Sequence, residues 1–391
     1  LFPPKYWPRA IRANGHLLLD NEKMSKSTGN FLSLFESVRD FGADATRIAL
    51  ADAGDDVNDA NFVRTTCNAS ILTLYNLFMF IREVIDCHSG QGSNGTCSAA
   101  SSGCYRSKDS AYSFNDCVFD NEINKIVHSC YRAYDAMLYR EVVIQGFHEF
   151  LRCRDRYRDM AKGCEGMHLG LLMKFVNIFI HIMSPIIPHF CEHIWRELLG
   201  NKDSSITSQK WPVVPEPDEA FLISRDYINT LLHSIRTSLS LELNPKKGPI
   251  PSEKLNCVDI YVAVDLPDWQ QVCIDILRAH FDSKSKSFTV DDSTLAQKLR
   301  QDPRLKEQAK RVMPFAMEMK KNAQTVGAAA FEMKLGFDEI EIINNNMDYL
   351  CRSLELVKIN PMDVKKATEE IDSKKISLCV PGEPKFRFFH Q

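Results

Sequence analysis

The segment Lys23-Met24-Ser25-Lys26-Ser27-Thr28-Gly29-Asn30 concentrates the chemistry of this chain. Two lysines three residues apart carry mobile positive charge. The serines and threonine are short hydroxyl donors, and the glycine permits a tight backbone turn. Such a loop can close over a polyphosphate. A solvated surface loop could carry the same residue types, so the flanking elements must decide between the two.

Ahead of the loop, Arg12-Ala13-Asn14-Gly15-His16-Leu17-Leu18-Leu19-Asp20 reads as a short apolar strand ending in a turn. His16 could face a nucleotide, or simply be a polar residue at the strand. Behind the loop, Ser33 and Glu36 have the spacing of a capping box, which predicts a helix from about Leu34. Gly42 is placed to end that helix, and a second helix is expected from Asp44. Asp52, Asp55, Asp56 and Asp59 then fill an acidic, turn-rich segment. Strand, phosphate loop and capped helices form the layout that a nucleotide-handling loop requires.

With these residues in view, the pentapeptide Lys23–Ser27 resembles the second signature of class I aminoacyl-tRNA synthetases. Within that class the chain is similar to the leucyl-tRNA synthetase family of the archaeal and eukaryotic cytosolic type. The residues that carry the likeness are Arg12-Ala13-Asn14-Gly15-His16-Leu17, Ser27-Thr28-Gly29-Asn30-Phe31-Leu32, Ala51-Asp52-Ala53-Gly54-Asp55-Asp56 and Asp59-Ala60-Asn61-Phe62. Arg140-Glu141-Val142-Val143, Gly146-Phe147, Arg154-Asp155-Arg156-Tyr157-Arg158 and Met183-Ser184-Pro185-Ile186-Ile187-Pro188-His189 continue it. The resemblance is strong to about Trp211 and looser beyond.

The resemblance implies an ATP-dependent leucine–tRNA ligase of the cytoplasm. It would take ATP with Mg²⁺, leucine and tRNA(Leu), with no fixed metal and no membrane association. Lys23 and Lys26 would be catalytic, Lys26 the stronger. Lys23, Met24, Ser25, Lys26 and Ser27 would form the ATP-binding loop, with Ser25 and Ser27 fixing it and Met24 packing it down. The family's first ATP signature, His-Ile-Gly-His or a near variant, is not in this sequence. The expectation is therefore the C-terminal portion of a longer synthetase, inactive by itself. The rivals are a non-catalytic, synthetase-derived RNA-binding protein and another class I synthetase.

At 391 residues the chain has room for two or three domains. Its composition, 44% hydrophobic and 25% charged, is that of a globular protein. The net charge of −3 leaves any RNA-binding surface to local patches. Thirteen cysteines are scattered without a Cys-x-x-Cys pair, which favours free thiols over zinc, including at Cys97 and Cys104. The apolar stretch from Phe175 to Phe190 is interrupted by Asn177, His181, Ser184, Pro185 and Pro188, so it reads as a buried helix stopping at the prolines.

Three parts are expected. Residues 1–62 read as the end of a Rossmann-like nucleotide-binding α/β domain with a helical junction. Residues 63–235 read as an α-helical bundle of the anticodon-binding type, with a mobile Ser/Gly-rich loop over 88–113. Residues 236–391 read as a small α/β domain that contacts tRNA. Its strands are expected at Val258–Val264, Leu354–Ile359 and Lys385–Phe389, and its helices at Trp269–Phe281, Leu295–Lys321 and Phe337–Cys351.

Two basic clusters are candidates for tRNA contact. Arg152, Arg154, Arg156 and Arg158 lie on an expected helix, where Arg154 and Arg158 share one face and Arg152 and Arg156 another. A solvated, salt-bridged helix accounts for them equally well. Arg304, Lys306, Lys310 and Arg311 lead a second basic stretch, in which Met313, Phe315, Met317 and Met319 read as packing residues. His189 and His193 have the i, i+4 spacing of a metal pair, but apolar surroundings and the lack of a third ligand favour helix packing.

Overall fold

The computed structural model describes residues 2–11, 13, 15–55, 57–89, 105–162, 166–244, 255–283, 285–331, 335–366 and 379–390. Arg12, Asn14, Asp56, Cys97 and Cys104, with most of the expected 88–113 loop, lie outside them. The chain forms two compact units, Leu1–Leu222 and Ile223–Gln391.

In the first unit, Leu17–Leu19 is the middle strand of a small sheet. It pairs antiparallel with Glu22–Lys23 and parallel with Ala60–Phe62. Asp20 and Asn21 make the two-residue hairpin turn, both at positive φ (52° and 69°), the geometry that suits short polar residues. The parallel return is made through two helices, Leu34–Phe41 and Ala43–Ala53. Ser33 and Glu36 form the expected capping box, and Gly42, at φ 81°, separates the helices. Leu19, Ala49, Phe62 and Cys67 are buried together, with Met24, Leu32 and Phe41 packed against them.

Helices Arg64–His88, Phe114–Asp135, Phe150–Ala161 and Leu169–Met183 enclose the main core of this unit. Phe119, Phe147, Phe150, Phe175 and Phe179 fill it, with Phe150 and Phe175 stacked at 4.6 Å. The chain passes through a wider helical turn at Val143–Glu149 before Phe150. There Gly146 crosses close to a neighbour: a Cβ at that position would sit 3.0 Å from both the Cys130 and Met183 sulfurs. The apolar helix stops at Met183, and a new one opens with Pro188 in its first turn, where a missing N–H costs nothing. Among the described residues no helix is long and apolar enough to cross a membrane.

One described end of the expected 88–113 loop is ordered as a strand. Tyr105–Arg106 pairs with Met167–His168. Arg106 explains the order, because it pairs with buried Asp116 and donates to the carbonyls of Ala111 and Gly166. Tyr157 closes the network by donating to Asp116 at 2.5 Å and accepting from the His168 amide at 2.8 Å.

The second unit takes up the helix Glu219–Leu243 from Ile223 onward, where Tyr227 packs on Phe337 and Arg236 donates to the Ser353 carbonyl. Its sheet runs Lys385–Phe389, Cys257–Val262, Lys358–Asp363. The middle strand pairs antiparallel with the first and parallel with the last. The strand expected from Leu354 starts at Lys358 because the helix Met347–Leu354 runs on and ends in left-handed Glu355. The helical pattern expected from Leu295 to Lys321 is cut in two. Asp302, held extended ahead of Pro303, ends Asp292–Gln301, and Ala309–Val326 begins after a tight turn.

Candidate functional site

The lysine loop leaves the sheet at Lys23 and is closed at its base. The Ser25 amide donates to the Asn30 carbonyl at 2.8 Å, and the Phe31 amide to the Gly29 carbonyl at 3.0 Å. Gly29 has φ 76°, a conformation that strains any side chain. Inside the turn, the hydroxyls of Ser25 and Ser27 are 2.8 Å apart, and Thr28 donates to the Ser25 carbonyl at 3.2 Å. Met24 packs onto the small core beneath. Lys23 and Lys26 are exposed, and among the described residues no carboxylate pairs with either. The Lys26 ammonium lies 5.3 Å from the centre of the Phe31 ring. The loop therefore presents positive charge and hydroxyls to solvent on a fixed base.

Residues without a role in the sequence reading build that base. The Asn30 side-chain amide reaches the carbonyls of Leu19, Lys23 and Glu22 at 3.3, 3.4 and 3.5 Å, tying the loop's exit to the hairpin. Asn61 exchanges two hydrogen bonds with Asn21 at 2.7 and 2.8 Å. Asp20 pairs with Arg64. Asp59 accepts from the His16 amide at 2.8 Å and lies 3.5 Å from its ring, so His16 is engaged by the neighbouring strand's lead-in. A Cβ on Gly15 would come within 2.4 Å of the Asn58 carbonyl oxygen, so the backbones there meet only through glycine. Asp59-Ala60-Asn61-Phe62 and Asn30 were visible as motif residues, but their partners lie too far off in sequence to be read locally.

The arginine helix divides by face as its spacing requires. Arg152 and Arg156 both pair with Glu149, at 3.4 and 2.9 Å, and Arg154 and Arg158 both pair with Asp155, at 2.7 and 3.1 Å. Arg156 also holds buried Glu122 at 2.7 Å, an ion pair that raises its pKa despite burial. The Arg154 side chain is only 12% exposed and lies over the Phe80 ring at 4.8 Å. Arg152 and Arg158 are the exposed members, at 70% and 50%.

In the second unit, Arg304 pairs with Asp302 at 2.7 Å, Lys306 and Lys310 are exposed, and Arg311 reaches Gln308 at 3.4 Å. Phe315 packs on Trp269 and Met319 is buried, whereas Met317 is 43% exposed. His189 lies 3.0 Å from Asp44, and the His193 ring lies beside Phe78. Burial raises the thiols of Cys67 to about 11 and of Cys130 to about 12.

The exposed Lys-Met-Ser-Lys-Ser loop thus sits on a βααβ unit that a helical bundle follows. Residues 5–74 match the family model for tRNA synthetases class I (M), and residues 116–248 match the anticodon-binding domain of tRNA ligase. Residues 262–336 match the model described as leucine–tRNA ligase, RagD-binding domain. The chain is 39% identical over 382 residues to the cytoplasmic leucine–tRNA ligase of Pongo abelii, covering 97% of this chain and 30% of that protein. It is 36% identical to that of Arabidopsis thaliana and 35% identical to that of Saccharomyces cerevisiae, covering 98% of this chain and 35% of each protein. The chain belongs to the cytoplasmic leucine–tRNA ligase family and spans about a third of the length of these relatives.

Proposed function

We propose that this chain is the C-terminal part of a leucine–tRNA ligase, contributing the loop that acts on ATP and the surfaces that hold tRNA(Leu). The observation that carries the reading is the lysine loop itself, exposed at its tip and pinned at its base by Asn30. In leucine activation the carboxylate attacks the α-phosphate of Mg²⁺-bound ATP and pyrophosphate departs. Negative charge grows on the leaving group. Lys26, assisted by Lys23, meets that charge as the loop closes, so its effect falls on the transition state more than on bound ATP. Ser25 and Ser27 keep the loop in shape, and Met24 anchors it. Transfer of leucine to the tRNA 3′ end then requires tRNA held along the bundle and the second unit.

For tRNA the exposed candidates are Arg152 and Arg158, with Arg304, Lys306 and Lys310, and the half-buried Arg311 lies beside them. Arg154 and Arg156 serve the fold through their internal pairs. The match of residues 262–336 to a RagD-binding domain supports a second role for that stretch, docking a RagD-type protein partner. The test uses the complete polypeptide that carries this chain. Leucine-dependent pyrophosphate exchange is expected, with isoleucine and valine far weaker. Exchange driven best by another amino acid would overturn the leucine assignment, and no exchange with any amino acid would overturn the ligase reading.

A further inference from the structure

We infer that Asp44 and Arg47 are positioning residues that lock the lysine-loop platform to the helical bundle, so that tRNA on the bundle and ATP under the loop share one frame. The inference rests on the ligase reading above.

The helix Ala43–Ala53 belongs to two cores at once. Ala49 is buried among Leu19, Phe62 and Cys67 with Met24, beneath the lysine loop, whereas neighbouring Ile48 is buried in the core of the bundle. Its polar side chains meet the break between the helices Leu169–Met183 and Pro188–His193. Arg47 donates from Nε to the Ile186 carbonyl at 2.7 Å and from Nη2 to the Pro185 carbonyl at 2.8 Å. Asp44 accepts from the Phe190 amide at 2.6 Å and lies 3.0 Å from His189 Nδ1.

The Ile186 carbonyl and the Phe190 amide are four residues apart, the spacing of one helical hydrogen bond. Each is instead taken by a side chain of the junction helix. Further along that helix and just past its end, Asp52 lies 3.8 Å from His148 and Asp55 accepts from the Arg140 amide at 3.2 Å. Apolar contact alone would allow the helix to slide. Two directional bonds from a planar guanidinium and a bond from an amide to Asp44 define one register.

Activation needs the loop and ATP, whereas transfer also needs the tRNA that the bundle holds. Loss of register should therefore damage transfer selectively, since misplacement by about 1 Å can cost about 10²-fold. Arg47→Met and Arg47→Lys in the complete polypeptide test this, with Asp44→Asn as a milder third variant. For Arg47→Met, kcat/KM for tRNA in leucine charging is expected to fall about 10-fold or more, while leucine-dependent pyrophosphate exchange per folded molecule stays within about twofold. Arg47→Lys, which keeps the charge and can reach one carbonyl, should recover part of the loss. Equal falls in exchange and charging, or no fall in charging, would overturn the inference. Should Arg47→Met not fold, the same split is read from Arg47→Lys and Asp44→Asn. Absence of exchange in the unsubstituted protein would instead count against the ligase reading.

Discussion

At Lys26 the physics is that of an exposed ammonium on a fixed base. No ion pair among the described residues competes for it, and its ammonium lies 5.3 Å from the centre of the Phe31 ring. A cation–π contact at an exposed site is worth only about 0.5–1 kcal/mol, small beside the stabilisation of a departing pyrophosphate. Lys26→Ala in the complete polypeptide should therefore slow single-turnover adenylate formation by about 10²-fold while leucine binding changes little. A change below about threefold would remove Lys26 from the proposed role. Asn30 differs in kind. It touches no substrate here, and its side-chain amide, within 3.3–3.5 Å of three hairpin carbonyls, ties the loop's exit to the hairpin.

At the scale of elements, the junction helix Ala43–Ala53 combines weak local signals with strong distant contacts. Asp52 near its end has a carboxyl lowered below the usual range, first by the His148 imidazole 3.8 Å away and against the opposing effect of burial. A carboxyl lowered in the folded state binds protons less readily than in the unfolded chain. Its contribution is therefore complete above the unfolded value of about 3.9 and is lost as pH falls through the folded value. Asp52→Asn should destabilise the protein near neutral pH and flatten the loss of stability below about pH 4. Thermal unfolding followed from pH 7 downward checks this. Parallel acid limbs in the variant and the parent would show that the Asp52–His148 contact carries no stability. The Ser33–Glu36 box is a local counterpart, and there too hydrogen bonds from Ser33 lower the Glu36 carboxyl.

For the molecule as a whole, net charge is small and cationic surface is patchy, so tRNA binding should be weak and strongly salt-dependent. The 391-residue chain is expected to bind tRNA at low salt, with affinity falling steeply as salt rises. Charge reversal at Lys310 and Arg311 should weaken binding and flatten the dependence of log K on log salt by about one unit per lost phosphate contact. Binding titrations across a salt series decide it. An unchanged slope in the double variant would place the tRNA surface elsewhere. No binding even at low salt would remove this chain's share in holding tRNA.

Several features follow from the sequence alone because their causes are local. The strand before the lysine loop, the capping box at Ser33 and Glu36, Gly42 between two helices, and the pairing of arginines by helix face all depend on residues within a turn or two of one another. The Lys-Met-Ser-Lys-Ser run and the motifs around it likewise sufficed to point to the synthetase family. Other features required the fold. Arg156 is committed to Glu122, 34 positions away, so its side chain serves the bundle and not an open surface. Asp44 takes the Phe190 amide across 146 positions, and Arg47 takes carbonyls almost as distant. Periodicity reports which face of a helix is apolar, but not which backbone group a polar side chain will reach. That is decided only when the Pro185–Pro188 break leaves carbonyls and an amide without helical partners and packing brings Asp44 and Arg47 to them.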